Sequence, residues 1–443
     1  MRPTLVTYAL LSLSGLWPVA APLSAAAPET GDIPAAPGGE VVAPLTLPAI
    51  FAELRARHPA LTAARAAAEA SRARVDSEGA WMDPRLRVEF MRDNTNRFTT
   101  YNDLEFGLTQ EIPLSGRPKL RARAAAAEAT VADAQSLRSE WLLLNQARTA
   151  FTRLAATDER LALNTQLRAL LAQTRVLVRL AYETGQRPQT DLLALDTDLA
   201  RLDAERTDLD SARSQDAAML NALLLRPAQT PVAPLTLLPP APPALTLADA
   251  VARARARSPD IAVALRETAA ADARLALARK VNAIDPELMI AARHMNGSGE
   301  AIYAYDTGIA FSMPWFNARR NRAEIRAAQS QLASTRAAAD AGEAEIAGLT
   351  AAAHARTAAT AAQVGRYENE LLPLAAAATA AARRDYETGR APLPSLLDAE
   401  RATLDTRQKL ADIRVDHALA AAELAFLTAS DLTLPDNPGK TDM

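Results

Sequence analysis

The sequence predicts a mainly α-helical chain with a small membrane β part, built on duplicated long helical hairpins. Three observations predict it. Landmarks recur in the same order about 200 residues apart. A stretch of 66 residues, Lys119 to Thr184, holds neither glycine nor proline. Four short segments alternate apolar and polar residues. The first observation reports duplication. The second implies a rod of helix roughly 100 Å long at 1.5 Å per residue. The third is the period of a strand with one apolar face.

Composition narrows the class. The 443 residues carry a formal net charge of only −3, so nothing points to a nucleic-acid partner. Cysteine is absent, which excludes disulfides, thiolate metal sites and a lipid-anchored N-terminal cysteine. Aromatics make up 4% and alanine abounds, so the expected packing is helix on helix at close approach.

Residues 1–26 are expected to be a cleaved signal peptide. Arg2 supplies the basic start, Leu5 to Trp17 the apolar run, and "LSAAA" a small-residue cleavage site. A transmembrane anchor would need about 20 apolar residues, and Pro18 and Pro22 interrupt this stretch. A Pro/Gly-rich segment, 27–44, comes next. No later window is a long apolar run.

The duplication then sets the domains. "LTLPAIFAELRARHPALTAAR" at 45–65 returns as "LTLADAVARARARSPDIAVAL" at 245–265, and "MDPRLRVEF" at 82–90 as "IDPELMIAA" at 284–292. "FGLTQEIPLSGR" at 106–117 returns as "TGIAFSMPWFNA" at 307–318, and "AYETGQRPQTDLL" at 181–193 as "DYETGRAPLPSLL" at 385–397. The offsets are 200, 202, 201 and 204. Two repeats, 45–226 and 245–430, are joined by a proline-rich linker at 227–244 and followed by a tail at 431–443.

Each repeat reads as helix, two strands, very long helix, tight turn, helix. Leu137, Trp141, Leu144, Ala147, Phe151, Leu154 and Leu161 recur at three, four and seven, a coiled-coil-like seam. Gly185 ends the first rod and Pro188 starts the return helix, which is expected to reach about Arg226. The second long helix contains Gly342, Gly348, Gly365 and Pro373, so it is expected to be looser, with a kink near Pro373. The hairpin tips lie at 182–193 and 386–398, marked by Tyr182, Gly185 and Pro188, then Tyr386, Gly389 and Pro392. Leu192–Leu193 and Leu396–Leu397 are expected to seal each return helix.

The strands are expected at 85–92, 103–112, 286–294 and 303–313. Leu86, Val88 and Phe90 oppose Arg85, Arg87 and Glu89, and Leu104, Phe106 and Leu108 oppose Glu105, Gly107 and Thr109. A half-buried sheet on a soluble domain would alternate in the same way. Aromatics favour a membrane: Trp81 and Trp315 at one end of the hairpins, Phe98, Tyr101 and Tyr303 near the other. Four strands cannot close a barrel, and open edges are not viable in lipid. Two chains would give eight strands and three would give twelve.

The signal peptide, the duplicated unit and the paired tips resemble the TolC family of outer-membrane efflux channels. "HPAL", "DPRL", "EIPLSGR", "LLPLA" and "YETGRAPLPSLLDAER" resemble its heavy-metal branch, typified by CzcC and CusC. The resemblance spans roughly residues 45 to 430. It implies a homotrimer with a twelve-stranded β-barrel in the lipid of a Gram-negative outer membrane, continued by a periplasmic helical α-barrel tunnel. It also implies a periplasmic adaptor docked at the tips and, through it, an inner-membrane resistance-nodulation-division (RND) pump. Acidic residues past the second turn would line the aperture. Asp398 matches such a position, while Ser395 stands where a related channel has a second acid, and Asp191 is its equivalent in the first hairpin.

No catalytic constellation, cofactor motif or metal-ligand spacing is present; His58, His294, His354 and His417 are scattered. Asp196, Asp198, Asp203, Asp208 and Asp210 read as a solvated face. The expected function is a passive, non-enzymatic export duct for heavy-metal cations. A duct for drugs or secreted polypeptides is the alternative within the fold, and a periplasmic coiled-coil scaffold the alternative outside it.

Overall fold

The structure is a computed structural model that describes residues 45–91, 103–236, 245–296 and 301–429. The expected signal peptide 1–26, the segment 27–44, Phe98 and Tyr101, residues 237–244 of the linker and the tail 431–443 lie outside the described residues.

In the first repeat, α1 (Leu47–Arg57) and α2 (Pro59–Gly79) meet at His58, whose Nδ1 accepts the Ala60 N–H at 3.2 Å. Strands β1 (Arg85–Met91) and β2 (Asp103–Glu111) lead into α3 (Arg117–Glu183), which is unbroken for 67 residues. Helix α4 (Gln189–Leu223) returns. The second repeat has the same order with α5 (Leu247–Arg257), α6 (Pro259–Ala278), β3 (Pro286–Asn296) and β4 (Ala301–Phe311). After a 3-10 turn at Pro314–Asn317 come α7 (Ala318–Arg366), a π turn at Tyr367–Leu371, α8 (Leu372–Glu387) and α9 (Leu393–Leu427).

Several boundaries differ from expectation. Strand β1 is described as far as Met91, β2 ends one residue early at Glu111, β3 runs on to Asn296, and β4 lies two residues earlier than 303–313. Strand β4 stops at Phe311 because its ladder partner there is Pro286, the first residue of β3. Helix α4 ends at Leu223 rather than near Arg226. Leu225 takes φ +57°, and the Arg226 N–H bonds the Asn221 carbonyl at 2.9 Å, closing the helix in a left-handed cap. The three glycines do not loosen α7, which passes through Gly342, Gly348 and Gly365 without a break. The irregularity sits at the π turn, just before Pro373, whose ring and missing N–H disfavour a regular turn there. Leu137 is exposed, so among the expected seam residues burial begins at Trp141, after a run of buried alanines from Ala124 to Ala134.

The four strands make one antiparallel sheet in the order β1-β2-β3-β4, so the β2–β3 ladder joins the two repeats. Helices α2, α4 and α6 pack on α3, while α6 and α9 pack on α7. Three larger apolar clusters hold these helices together, with a smaller one of Ala271, Leu275 and Leu332 between α6 and α7. Ile50, Leu54, Phe151, Leu154 and Leu220 fill the first repeat beside the irregular segment holding Val232 and Leu235. Ala254, Ile261, Ile346, Ala353 and Leu424 fill the corresponding place in the second. The third spans both hairpins near their tips: Leu167, Leu171, Val178, Leu195 and Leu202 meet Leu396, Leu397 and Leu404.

Candidate functional site

Both hairpins turn by the same chemistry. At the first tip Gly185 has φ +72°; its N–H bonds the Tyr182 carbonyl at 2.9 Å and the Gln186 N–H bonds the Ala181 carbonyl at 2.8 Å. At the second, Gly389 has φ +73°, with Gly389 to Tyr386 at 3.0 Å and Arg390 to Asp385 at 2.8 Å. This pair of bonds satisfies the orphan carbonyls of a helix end, and the left-handed residue it requires is glycine in both copies. Pro188 and Pro392 then take the N-cap positions of α4 and α9 with extended backbone.

The two tips lie side by side but are not equivalent. The Arg187 guanidinium stands 4.6 Å over the Tyr386 ring, which is half-buried, whereas Tyr182 is exposed. Leu396 and Leu397 are both buried, while Leu193 is exposed and only Leu192 joins the cluster. Of the marked tip residues, Tyr182, Gly185, Pro188, Gly389 and Pro392 are exposed, together with Glu183, Thr184, Gln186, Thr388 and Arg390 around them.

Of the three expected aperture residues, Asp191 is half-buried in the first turn of α4 and Ser395 is exposed in the first turn of α9. Asp398 is 74% exposed, one turn further on, with Arg401 at 3.6 Å. Arg401 is committed elsewhere: its Nη2 donates to Asp198 at 2.7 Å and its Nε at 3.0 Å. Asp198 is only 15% exposed. This ion pair ties α9 to α4, as does Gln408 to Glu205 at 3.3 Å. Nearby, Glu400 is 2% exposed in the clustered leucines; it accepts from Arg383 at 3.1 Å and from Thr174 at 3.4 Å.

Within the acidic run Asp203, Asp208 and Asp210 are exposed, as expected of a solvated face, while Asp198 is not, and several of the carboxylates are paired. Asp203 pairs with Arg168 at 2.5 Å, Asp196 pairs with Arg175, and Asp198 reaches across to the second hairpin. The hydrogen bond from Arg175 holds the Asp196 carboxylate below the usual carboxylate range, and the same bond raises the Arg175 guanidinium. Asp198 and Arg401 stand 203 residues apart, close to the repeat offset. Duplicated helices packed side by side bring near-equivalent positions together, and the offset was the one signal that could have paired them.

The sheet is two-faced. Ladder rows Leu86–Leu108–Ile290–Thr307 and Val88–Phe106–Ala292–Tyr305 run across all four strands on one face. Leu86, Val88, Phe90, Phe106, Leu108, Ile290, Tyr303, Tyr305, Ile309 and Phe311 are all exposed, Tyr305 at 81%. The opposite rows hold Arg85, Arg87, Glu89, Glu105, Glu287, Arg293 and Asp306. Arg293 reaches Glu105 at 2.6 Å, Arg85 pairs with Glu287, and Arg87 lies 3.8 Å from Glu89. Trp81, ahead of β1, and Trp315, after β4, flank the same end of the sheet and are exposed. Tyr303 lies toward the other end, its ring 4.9 Å from His294.

No helix among the described residues is long and apolar enough to cross a membrane. Among the same residues no group of three or more His, Asp or Glu side chains is placed to hold a metal ion.

Residues 250–430, nearly the whole second repeat, match the family model described as outer membrane efflux protein. No curated protein matches the chain. Solved structures share the fold. The outer membrane protein VceC of Vibrio cholerae has a TM-score of 0.71 at 17% identity, over 86% of this chain and 95% of that one. CusC has a TM-score of 0.72 at 18% identity, over 86% and 91%. The open-state MtrE outer membrane channel of Neisseria gonorrhoeae has 0.70 at 17%, over 86% and 88%. The chain thus has the TolC-like channel fold: long paired helices with a small antiparallel β part.

Proposed function

We propose that the chain is the outer-membrane channel subunit of a tripartite efflux system, a passive duct for heavy-metal cations. One observation carries the duct: the sheet is apolar and exposed on one face, charged on the other, and its outer strands β1 and β4 have no further strand partner among the described residues. An exposed apolar face of this extent favours lipid over water. Open edges do not persist in lipid, so several copies share one barrel, three by resemblance to the family. The charged face then lines water. The helices continue the duct through the periplasm, and the tips form its mouth, where an adaptor docks and links it to an RND pump. Three Asp398 carboxylates around that mouth attract cations. The duct itself performs no chemistry.

The metal assignment rests on the motifs shared with the heavy-metal branch. The second reading, a duct for drugs or polypeptides, fits the same sheet and helices, since the apolar face and the paired hairpins carry no mark of the cargo. Growth of a deletion strain against graded Zn, Co, Cd, Ni, Cu and Ag salts, with drugs and detergents alongside, separates the two. Metal sensitivity rescued by the cloned channel is the expected result; sensitivity to drugs alone overturns the metal assignment. For the mouth, Asp398→Ala in a planar bilayer is expected to shift the reversal potential toward anions. An unchanged value removes Asp398 from the aperture.

A further inference from the structure

The internal duplication assigns the contact that the two free sheet edges make. Within each repeat the hairpin ladders are equivalent: Arg85 faces Thr109 in the first, and Glu287 faces Ala310 in the second. First-strand positions therefore move by 202 residues and second-strand positions by 201. The sequence anchors agree, since Asp83-Pro84 maps to Asp285-Pro286 at 202 and Gly107 and Pro113 map to Gly308 and Pro314 at 201. The β2–β3 ladder is then one repeat meeting the other. Its equivalent, β4 meeting β1, is not made inside the chain.

We propose that β4 of one copy pairs antiparallel with β1 of a second copy, with Ile309 opposite Val88 and Phe311 opposite Leu86 of that copy. This goes beyond the shared-barrel reading by fixing its register, and it rests on that reading. The register comes from the observed pairs Leu108↔Ile290 and Gln110↔Leu288, carried forward by 201 on one strand and back by 202 on the other.

Two independent features fit. The first is facing: Thr307, Ile309 and Phe311 share the exposed apolar face with Leu86, Val88 and Phe90. The derived register sets these same-face residues opposite one another, whereas a slip of one residue would set apolar against charged. The second is charge. Arg85 and Glu287 are equivalent positions in the two repeats, and they pair within the chain. The same relation between copies places each Glu287 between its own Arg85 and that of the next copy, a closed belt of alternating sign at one end of the barrel. Asp285 behaves alike: it accepts the Ser115 N–H at 2.7 Å and the Ser115 hydroxyl at 2.6 Å, tying β3 to the turn after β2. Its equivalent Asp83 is exposed and, in the assembly, faces the turn Pro314–Asn317 of the neighbouring copy.

The chain has no cysteine, so paired substitutions give a clean readout in the full-length protein in outer membranes. Opposed residues on antiparallel strands lie about 4.5–5.5 Å apart between Cβ atoms, within reach of a short bis-thiol reagent, and diagonal neighbours about 7–8 Å. Val88→Cys with Ile309→Cys and Leu86→Cys with Phe311→Cys are expected to cross-link at least several-fold faster than Phe90→Cys with Ile309→Cys or Leu86→Cys with Ile309→Cys. Faster reaction of a shifted pair overturns the register. A stable outer-membrane oligomer in which none of the four pairs reacts overturns edge closure between β4 and β1. Absence of any oligomer strikes the shared-barrel reading itself.

Discussion

The two repeats have one topology and two kinds of core. In the first, buried positions on α3 hold large groups: Trp141, Leu144, Phe151 and Leu154 pack with Ile50 and Leu54. In the second, Ala250 and Ala254 stand where Ile50 and Leu54 stood, and α7 buries Thr350, Thr357 and Thr360. Each of these threonine hydroxyls turns back to a carbonyl of its own helix, as Thr357 does to Ala353 at 2.8 Å. Between Gly116 and Gly185 α3 runs without a break. The equivalent span, Asn317 to Gly389, is three residues longer, as the offset rises from 201 to 204, and it contains the π turn. One copy is an unbroken rod on a bulky core. The other is a jointed rod on a small one, so duplication preserved path and turn chemistry while packing diverged.

The largest expected effect breaks the first core. Leu154 is fully buried, and Leu154→Ala is expected to cost about 2–5 kcal/mol. Thr357→Ala, 203 residues on, leaves no large cavity and loses one local hydrogen bond, about 1 kcal/mol or less. Denaturant unfolding of the two purified variants in detergent checks this, and equal losses would mean the cores do not differ as described.

The tips provide the counterpart, because there the repeats agree. A Cβ built at Gly185 or Gly389 meets nothing within 4 Å, so any penalty comes from the left-handed backbone alone. Gly185→Val and Gly389→Val are each expected to cost about 1–2 kcal/mol, to similar extents, and to reduce cross-linking to the adaptor. A neutral result at either tip would show that the turn does not need its positive φ.

The smallest effect sharpens the contrast in charge, since the acidic run on α4 has no equivalent of the same density on α9. Arg175 holds Asp196 below its unfolded value of about 3.9. The stabilisation by this carboxylate is therefore complete above that value and is lost as pH falls through the lower folded one. Asp196→Asn removes it, so the stability gap between wild type and variant is expected to narrow between about pH 5 and pH 2. A gap independent of pH would show that the pair contributes nothing through ionisation. Both groups are exposed to solvent, so the gap is small and shrinks with added salt.

Much of the fold was legible because its signals are local. A helix of 67 residues announces itself by the absence of Gly and Pro after Pro118 in its first turn, the strands by alternation, and the turns by Gly with Pro three residues later. The site was less legible because its contacts join distant segments. The Arg401–Asp198 pair, the burial of Glu400 beside Thr174 and the placing of Arg187 over Tyr386 depend on how two hairpins lie together, which periodicity within either hairpin does not encode. The π turn was only half visible: Pro373 marked the place, and the longer second span held the rest. Leu137 obeys the seam spacing yet is exposed, because a seam is buried only where a partner helix covers it.

The most direct test of the central claim, that the apolar sheet face sits in the outer membrane as part of a barrel shared between copies, is fractionation of cells on a density gradient, followed by gel analysis with and without heating. The account predicts that the protein sediments with the outer membrane, resists extraction by salt, and migrates as an oligomer that heat reduces to the monomer. A soluble monomer in the periplasmic fraction would contradict it.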